Sequence, residues 1–187
     1  MHSHTAASGR PCHFRCRVAQ SIFLVGPMGA GKTAVGRQLA RRLGLQFADS
    51  DVEIETRTGV DIAYIFEREG EEGFRMRERD VIDELTRTGG LVLATGGGAI
   101  LSPLNRERLA SRGTVVFLDT TIEQQLERTA RSQHRPLLAT ADRRAKLEEL
   151  MQIRDPLYRS IAAVTIRTDG RAPGAVAGDI EKALKDL

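Results

Sequence analysis

The stretch SIFLVGPMGAGKTAVGRQLARR, residues 21–42, decides the fold of this 187-residue chain. Its apolar run at residues 22–25 predicts a buried strand. The following GPMGAGKT, residues 26–33, fits G-x-x-x-x-G-K-[ST], a loop whose backbone N–H groups converge on nucleotide phosphates at a helix N-terminus. Val35, Leu39 and Leu43 then recur at helical spacing. The stretch therefore predicts a strand, a phosphate-binding loop and a helix, in that order.

Each residue type in this loop has a physical task. Gly26, Gly29 and Gly31 allow backbone angles and a close approach that a Cβ would block, so successive amides can point at an anion. Lys32 adds a point charge that can follow the β- and γ-phosphates, and the Thr33 hydroxyl suits one position on an octahedral magnesium ion. The loop thus predicts binding of a magnesium nucleotide.

The composition bounds the class of protein. The length and the 41% hydrophobic content suit one well-buried domain. The 28 basic and 25 acidic residues are interspersed and only 4% of the chain is aromatic, which argues against nucleic acid as a partner. No apolar run approaches the roughly 18 to 20 residues that span a bilayer, so we expect a soluble, cytoplasmic protein without a membrane partner. Two cysteines, both in the leading segment, exclude a disulfide framework.

Residues 1–20 form a leader without an acidic residue and without sustained helical or alternating apolar spacing. We interpret them as a disordered N-terminal extension, followed by a single domain over residues 21–187. Cys12, His13 and Cys16 could be considered as metal ligands, but a structural zinc site needs four ligands held by folded elements. The arginines and the lack of acids leave an organelle-targeting peptide as an alternative.

Two acidic residues follow the next strand, predicted at residues 45–48. Asp49 and Asp51 come at its carboxyl end, where open α/β sheets bind ligands, and should face the phosphate loop. Asp49 or Ser50 also suits the N-cap of a helix beginning at Val52. Because a cap needs only one such residue, Asp51 is the more informative acid.

Residues 61–88 have helical spacing with glycines at 70 and 73. We predict that most charges of this segment, Glu78 and Asp83 among them, form a solvated face with (i, i+4) pairs. Arg75 alone sits where a helix end can project it into a cleft.

A buried strand at residues 91–95 then ends in three glycines, 96–98, which favour close approach by a ligand over a flexible turn.

The rest of the chain continues the alternation of helices and strands. We predict helices at residues 103–112, 122–131, 147–158 (interrupted near Pro156) and 173–187, and strands at 113–119 and 163–166. Residues 132–142 read as a loop that could close, flanked by Arg128 and Arg135, which suit a developing phosphoryl charge. The alternation and the buried strands predict an α/β fold: a parallel sheet with helices on both faces.

From residue 22 to near the C-terminus, the sequence resembles the shikimate kinase family. The resemblance rests on the order and spacing of the motifs GPMGAGKT, FADSD, GFR, TGGG, RPLL and RDPLY. It implies a P-loop kinase fold, a three-layer sandwich with a five-stranded parallel sheet, a lid and a substrate-binding region. It also implies transfer of the γ-phosphate of ATP, with Mg²⁺, to the 3-hydroxyl of shikimate in aromatic amino acid biosynthesis, and we expect a monomer.

The resemblance also assigns site residues. Lys32 and the loop amides would hold the phosphates, Thr33 would ligate magnesium, and Asp49 would support the ion through water. Asp51 would contact the shikimate hydroxyls as the candidate base, with Lys32 and Arg135 as further catalytic residues. The remaining assignments are ATP contacts at Gly29, Ala30, Gly31, Ala34, Arg128 and Arg171, the last near adenine largely through backbone, and shikimate contacts at Arg75, Gly96, Gly97, Gly98 and Arg154.

Two features depart from the family pattern: the leader, and a lid stretch SQHRPLL without the Asp-Lys pair common before RPLL. The alternatives are another small-metabolite P-loop kinase, such as a gluconate kinase, or a nucleotide-binding regulator without catalysis. Asp51, Arg75 and Arg154 argue against the first. Retention of Lys32, Asp51 and Arg135 argues against the second.

Overall fold

A computed structural model describes residues 20–130 and 142–187 of the chain. The leader cysteines, Cys12 and Cys16, and Arg135 of the predicted lid lie outside these residues. Five parallel strands form one sheet, as predicted, and their order is β2-β3-β1-β4-β5. Their bounds are Ile22–Val25 (β1), Gln46–Asp49 (β2), Leu91–Ala94 (β3), Thr114–Asp119 (β4) and Val164–Arg167 (β5).

Helices cover both faces of the sheet, which confirms the layered α/β fold. The α-helices within the described residues are Lys32–Leu43 (α1), Ser50–Thr58 (α2), Ile62–Arg87 (α3), Pro103–Arg112 (α4), Ile122–Thr129 (α5), Arg143–Ile161 (α6) and Pro173–Lys185 (α7). A single 3₁₀ turn, Ala99–Leu101, follows the three glycines. None of the helices in the described ranges is long and apolar enough to span a membrane.

Successive residues of β1 enter opposite cores, as the two-residue period of a strand requires. Ile22 and Leu24 pack with α1 and α7, whereas Phe23 and Val25 pack with α3, α4 and α6. All four are almost fully buried. Burial on both faces explains why the strand reads as a continuous apolar run, and it fixes β1 and its loop at the centre of the sheet.

Helices α2 and α6 begin earlier than the sequence predicts. Helix α2 begins at Ser50, because the Asp49 side chain accepts a hydrogen bond from the backbone N–H of Asp51 and caps it. Helix α6 begins at Arg143, where Asp142 caps it through the N–H of Ala145. It also continues through Pro156, although proline removes one helical hydrogen bond. Burial of this helix's inner face offsets that loss.

Helix α3 is broken at one position. Gly70 has φ 71° and ψ −177°, and so two helical segments meet there. This backbone conformation is accessible to glycine and strained for other residues. The break agrees with the glycine punctuation in the sequence, and it places Glu71 in the first turn of the second segment.

The Asp83 carboxylate joins α3 to α4 and should make stability depend on pH. Arg112 and Arg87 donate to it at 2.8 Å, and Arg108 lies at 3.0 Å. The hydrogen bond from Arg112, then that from Arg87, lowers the pKa of Asp83 below its ordinary 3.8. Because the pKa of Asp83 is lower in the folded than in the unfolded state, the ionised carboxylate stabilises the fold above pH 3.8. This stabilisation is lost as the pH falls through the pKa of the folded state.

We therefore expect Asp83→Asn to lower the melting temperature by a few degrees at pH 7, and by progressively less below pH 3.8. Thermal melts of both proteins across this range measure the difference. Asp80→Asn, an exposed acid on the same helix, is the control and should have little effect. A difference between Asp83→Asn and the wild type that does not change with pH would contradict the role of the ion pairs.

Candidate active site

A cleft of about 290 Å³ lies at the carboxyl ends of β1, β2 and β3. Its position follows from strand order, since β3 lies between β1 and β2 and brings the segments after all three strands together. The residues that line it are Met28, Gly29, Gly31, Lys32, Thr33, Ala34, Asp49, Asp51, Thr95, Gly97 and Arg128. Many of the predicted site residues are in this set.

The phosphate loop is built on close backbone approaches. A Cβ at Gly26 would lie 2.5 Å from the carbonyl oxygen of Leu118 on β4, so a larger residue would push the loop off the sheet. Gly31, at the start of α1, has φ 89°. The Lys32 ammonium donates to the carbonyls of Gly26 and Pro27, at 2.7 and 2.8 Å. The lysine therefore sits within the loop whose amides would face an anion.

Thr33 and Asp49 meet at the floor of the cleft. The Thr33 hydroxyl donates to Asp49 Oδ2 at 2.6 Å, while Asp49 Oδ1 accepts the N–H of Asp51 at 3.1 Å. Asp49 thus fills the cap role that the sequence left open between it and Ser50. Hydroxyl and carboxylate oxygens side by side at a phosphate loop fit Mg²⁺, which takes one or two protein oxygens and completes its shell with phosphates and water. Within residues 20–130 and 142–187, no group of three or more His, Cys, Asp or Glu side chains is arranged so that it could hold a metal ion.

Asp51 and Glu78 converge on Gly96. A Cβ built on Gly96 would lie 2.6 Å from Asp51 Oδ1 and 2.7 Å from Glu78 Oε1, and so only glycine fits between the two carboxylates. Ser50, which is fully buried, accepts a hydrogen bond from the Gly96 N–H at 2.9 Å and holds the glycine segment against α2. The three glycines are therefore closely packed by protein groups and do not form a loose turn, while their contact with a ligand stays a prediction.

Arg75 lies beside this glycine segment, at the position that the sequence predicted. Its guanidinium packs so closely on Gly98 that a Cβ there would lie 2.1 Å from Nη2. Nη1 donates to Glu78 Oε2 at 2.8 Å, and Nε and Nη2 donate to one oxygen of Glu71 at 3.2 and 2.9 Å. Burial would lower the pKa of Arg75, but Glu78 and Glu71 outweigh it and raise the pKa. Arg75 is therefore a fixed cation.

Arg154 of α6 is a second cation near Arg75, and 3% of its surface is exposed. Burial lowers the pKa of Arg154, and the charge of Arg75 lowers it further, while Tyr158 acts in the opposite direction. Its Nε has no hydrogen-bond partner among the described residues. We call Arg75 and Arg154 the arginine pair. Two neighbouring guanidinium groups, one buried and one partly buried, are suited to binding a carboxylate.

Sequence reasoning missed two buried groups that hold this region together. Glu78 was expected on a solvated face but is 1% exposed, and burial raises its pKa although Arg75 opposes the shift. Tyr158 donates its hydroxyl to the Gly97 carbonyl. The spacing of Glu78 three residues after Arg75 was the available signal for the first group. The second depends on contacts between α6 and the glycine segment that no local pattern shows.

The two remaining arginines among the described site residues, Arg128 and Arg171, lie in different surroundings. Arg128 donates from Nη1 to the Gly29 carbonyl and from Nη2 to the Thr168 carbonyl, both at 3.0 Å, and so links the phosphate loop to the end of β5. Arg171 instead pairs with Asp179 on α7 and does not line the cleft. Its predicted nucleotide contact through backbone is not tested by this arrangement.

Known proteins are similar to this chain in both sequence and fold. The family model described as shikimate kinase matches residues 28–185. A shikimate kinase of Vibrio cholerae is 56% identical over 167 residues, covering 89% of this chain and 96% of that protein. One of Thioalkalivibrio sulfidiphilus is 61% identical over 149 residues, covering 80% and 78%. The structure of shikimate kinase from Acinetobacter baumannii in complex with shikimate has a TM-score of 0.89 and 54% identity, covering 90% of this chain and 94% of that one.

Proposed function

The chain belongs to the shikimate kinase family and phosphorylates shikimate, and we propose that the γ-phosphate of ATP is transferred to the 3-hydroxyl of shikimate in this cleft. The observation that supports this assignment most strongly is the convergence of three parts at one sheet edge. These are the phosphate loop, the Asp51 carboxylate against Gly96, and the arginine pair beside Gly98. A nucleotide phosphate, an acceptor hydroxyl and an acceptor carboxylate would each find a partner there.

The phosphate loop would bind the nucleotide. The amides of Gly29 to Thr33, with Ala34 behind them, would face the phosphates, and Lys32 would exchange its loop carbonyls for phosphate oxygens. Thr33 would hold Mg²⁺ directly and Asp49 through water, as their adjacent oxygens suggest. The ion, when bound, neutralises charge on the phosphate oxygens.

Asp51 would orient the acceptor. Its carboxylate would accept a hydrogen bond from the 3-hydroxyl and direct the oxygen lone pair at the γ-phosphorus. It would take up the hydroxyl proton as the new O–P bond forms and the bond from the γ-phosphorus to ADP breaks. The N-cap of α2 is Asp49 and not Asp51, so the cap does not depend on the Asp51 carboxylate. Because the transition state is loose, the carboxylate contributes mainly by positioning.

The arginine pair would bind the shikimate carboxylate, and the backbone of Gly96, Gly97 and Gly98 would contact the ring. The absence of side chains at these glycines would let the ring approach the Arg75 guanidinium and the Asp51 carboxylate together. Binding at both ends of the substrate would fix the 3-hydroxyl relative to the γ-phosphate, which is the main contribution that a protein makes to phosphoryl transfer.

Three further arginines complete the proposal. Arg135 of the lid would reach the transferring phosphate, and Arg171 would lie near adenine. Arg128 of α5, which donates to the Gly29 carbonyl of the phosphate loop, would lie against the nucleotide. We also propose that the protein acts as a monomer, and that its partners are small molecules and not nucleic acid, since its basic and acidic residues are interspersed along the sequence.

A coupled ADP-release assay tests the proposal. Purified protein with Mg²⁺ and ATP is given shikimate, gluconate, adenylate or no acceptor, in parallel. We expect rapid ADP release with shikimate alone and only a slow background in the other three reactions. Comparable release with gluconate, or release that does not depend on an acceptor, would contradict the assignment.

Arg75→Lys tests the arginine pair. Lysine keeps the charge but loses the planar fork that binds a carboxylate with two parallel bonds. We expect shikimate affinity to fall by about 1.5 to 3 kcal/mol, the range for a charge-assisted hydrogen bond, with ATP affinity nearly unchanged. Calorimetric titration with each ligand measures both. Arg77→Lys, on the same helix and paired with Glu69, is the matched control. An equal loss of ATP affinity would place Arg75 in the nucleotide site or the fold.

A further inference from the structure

The proposed function leaves one contact of Arg75 without a role. Its Nε and Nη2 donate to the same oxygen of Glu71, at 3.2 and 2.9 Å, while Nη1 is taken by Glu78. The edge formed by Nε and Nη2 is one on which a guanidinium accommodates a carboxylate with two parallel bonds. In this structure, a carboxylate of the protein already occupies that edge.

The two carboxylates on Arg75 differ in their surroundings. Glu78 is 1% exposed and packed against Gly96, whereas the side chain of Glu71 is 49% exposed and follows the helix break at Gly70. Glu78 is therefore fixed by the interior. Glu71 has free space on its solvent side and can turn away by side-chain rotation, without movement of the core.

The charge of Glu71 also acts on the second member of the arginine pair. Burial lowers the pKa of Arg154, and Glu71 opposes that shift. The Glu71 carboxylate thus lies close enough to influence Arg154 as well as Arg75. It is a carboxylate held on the same donor edge of Arg75 that the substrate carboxylate would use.

We propose that Glu71 is an internal competitor for the substrate carboxylate, an inference that rests on the proposed role of the arginine pair. Without shikimate, Glu71 neutralises Arg75; with shikimate, the substrate carboxylate takes the same edge and Glu71 turns into solvent. Glu78 holds Nη1 throughout, and exchange of one carboxylate for another keeps the Nε and Nη2 edge paired as well, so these largely buried donors are not left without an acceptor. Glu71 thereby sets the affinity for shikimate below what the arginine pair could supply.

Titration of Glu71→Gln with shikimate, without nucleotide, tests this inference. The amide has the same shape but no charge, and competes weakly for a guanidinium. We expect shikimate to bind about three- to fivefold more tightly than to the wild type, the scale of a partly exposed ion pair. Binding of shikimate methyl ester, which lacks the carboxylate, should be unchanged. Glu72→Gln removes the same charge from the adjacent exposed residue and should leave both affinities unchanged.

Several results would overturn the inference. Unchanged or weaker shikimate binding by Glu71→Gln would make Glu71 a residue that positions Arg75, and equal tightening by Glu72→Gln would be a general effect of charge. Tighter binding of the ester by Glu71→Gln would also exclude competition for a carboxylate. Failure of the proposed site itself is recognised separately: the wild type would then bind the ester as tightly as shikimate. Melting temperatures confirm that each variant is folded, and Glu71→Ala should give a change in the same direction.

Discussion

Replacing Asp51 by asparagine is expected to lower kcat about a hundredfold or more, the scale of a lost general-base contribution. Asparagine has nearly the same shape but is far less basic and carries no charge. It can neither take up the proton of the 3-hydroxyl nor direct its lone pair as strongly at the γ-phosphorus. Steady-state kinetics with shikimate and MgATP measure this loss.

The structure makes the same substitution mild for the fold. The cap of α2 is Asp49, whose carboxylate accepts the N–H of residue 51, and that N–H is retained in the variant. Melting temperature and ATP affinity should therefore change little. Glu53→Gln, which removes another acid from the first turn of α2, serves as the control and should keep nearly full turnover. Near-normal turnover of Asp51→Asn would require the base assignment to be withdrawn.

Gly96→Ala should have the second largest effect on activity, although neither glycine nor alanine has a reactive side chain. The added Cβ would lie 2.6 Å from Asp51 Oδ1 and 2.7 Å from Glu78 Oε1, both closer than van der Waals contact allows. Each carboxylate would have to move, and with Glu78 the Arg75 guanidinium that it holds. Because a displacement of about 1 Å can cost on the order of a hundredfold in rate, we expect kcat/KM for shikimate to fall about a hundredfold.

Binding of ATP separates this effect from damage to the fold. The atoms displaced by Gly96→Ala belong to side chains on the acceptor side of the cleft, and so ATP affinity should be retained. Gly174→Ala, on α7 with no atom near the added methyl group, is the matched control. Full activity of Gly96→Ala would show that the two carboxylates need not stay where the structure has them, and would remove their proposed role in placing the acceptor.

Much of the fold could be predicted because its signals are local. The apolar run of β1, the glycine loop and the helical spacing of α1 lie within one continuous stretch, and the alternation of strands and helices then required a parallel sheet. The meeting of Asp51, the glycines and the phosphate loop could be predicted from the parallel direction of the strands, because the carboxyl ends of parallel strands share one edge of the sheet.

The parts that sequence reasoning missed depend on contacts between distant elements. Glu78 looks like one more charge on a helix with many, and its burial comes from packing of α3 against the glycine segment. Tyr158 and Ser50 likewise bind the backbone of Gly97 and Gly96 from other helices. The continuation of α6 through Pro156 has the same origin, since packing outweighs the local preference of proline to end a helix.

A crystal structure of the protein with shikimate and a non-hydrolysable ATP analogue is the most direct test of the proposed site. We expect the shikimate carboxylate to lie between Arg75 and Arg154, with Glu71 turned away from Arg75. We also expect the 3-hydroxyl at about 2.6 to 3.2 Å from the Asp51 carboxylate, the reach of a general base, and facing the γ-phosphate. A carboxylate bound away from the arginine pair, or a 3-hydroxyl out of reach of Asp51, would contradict the proposed site.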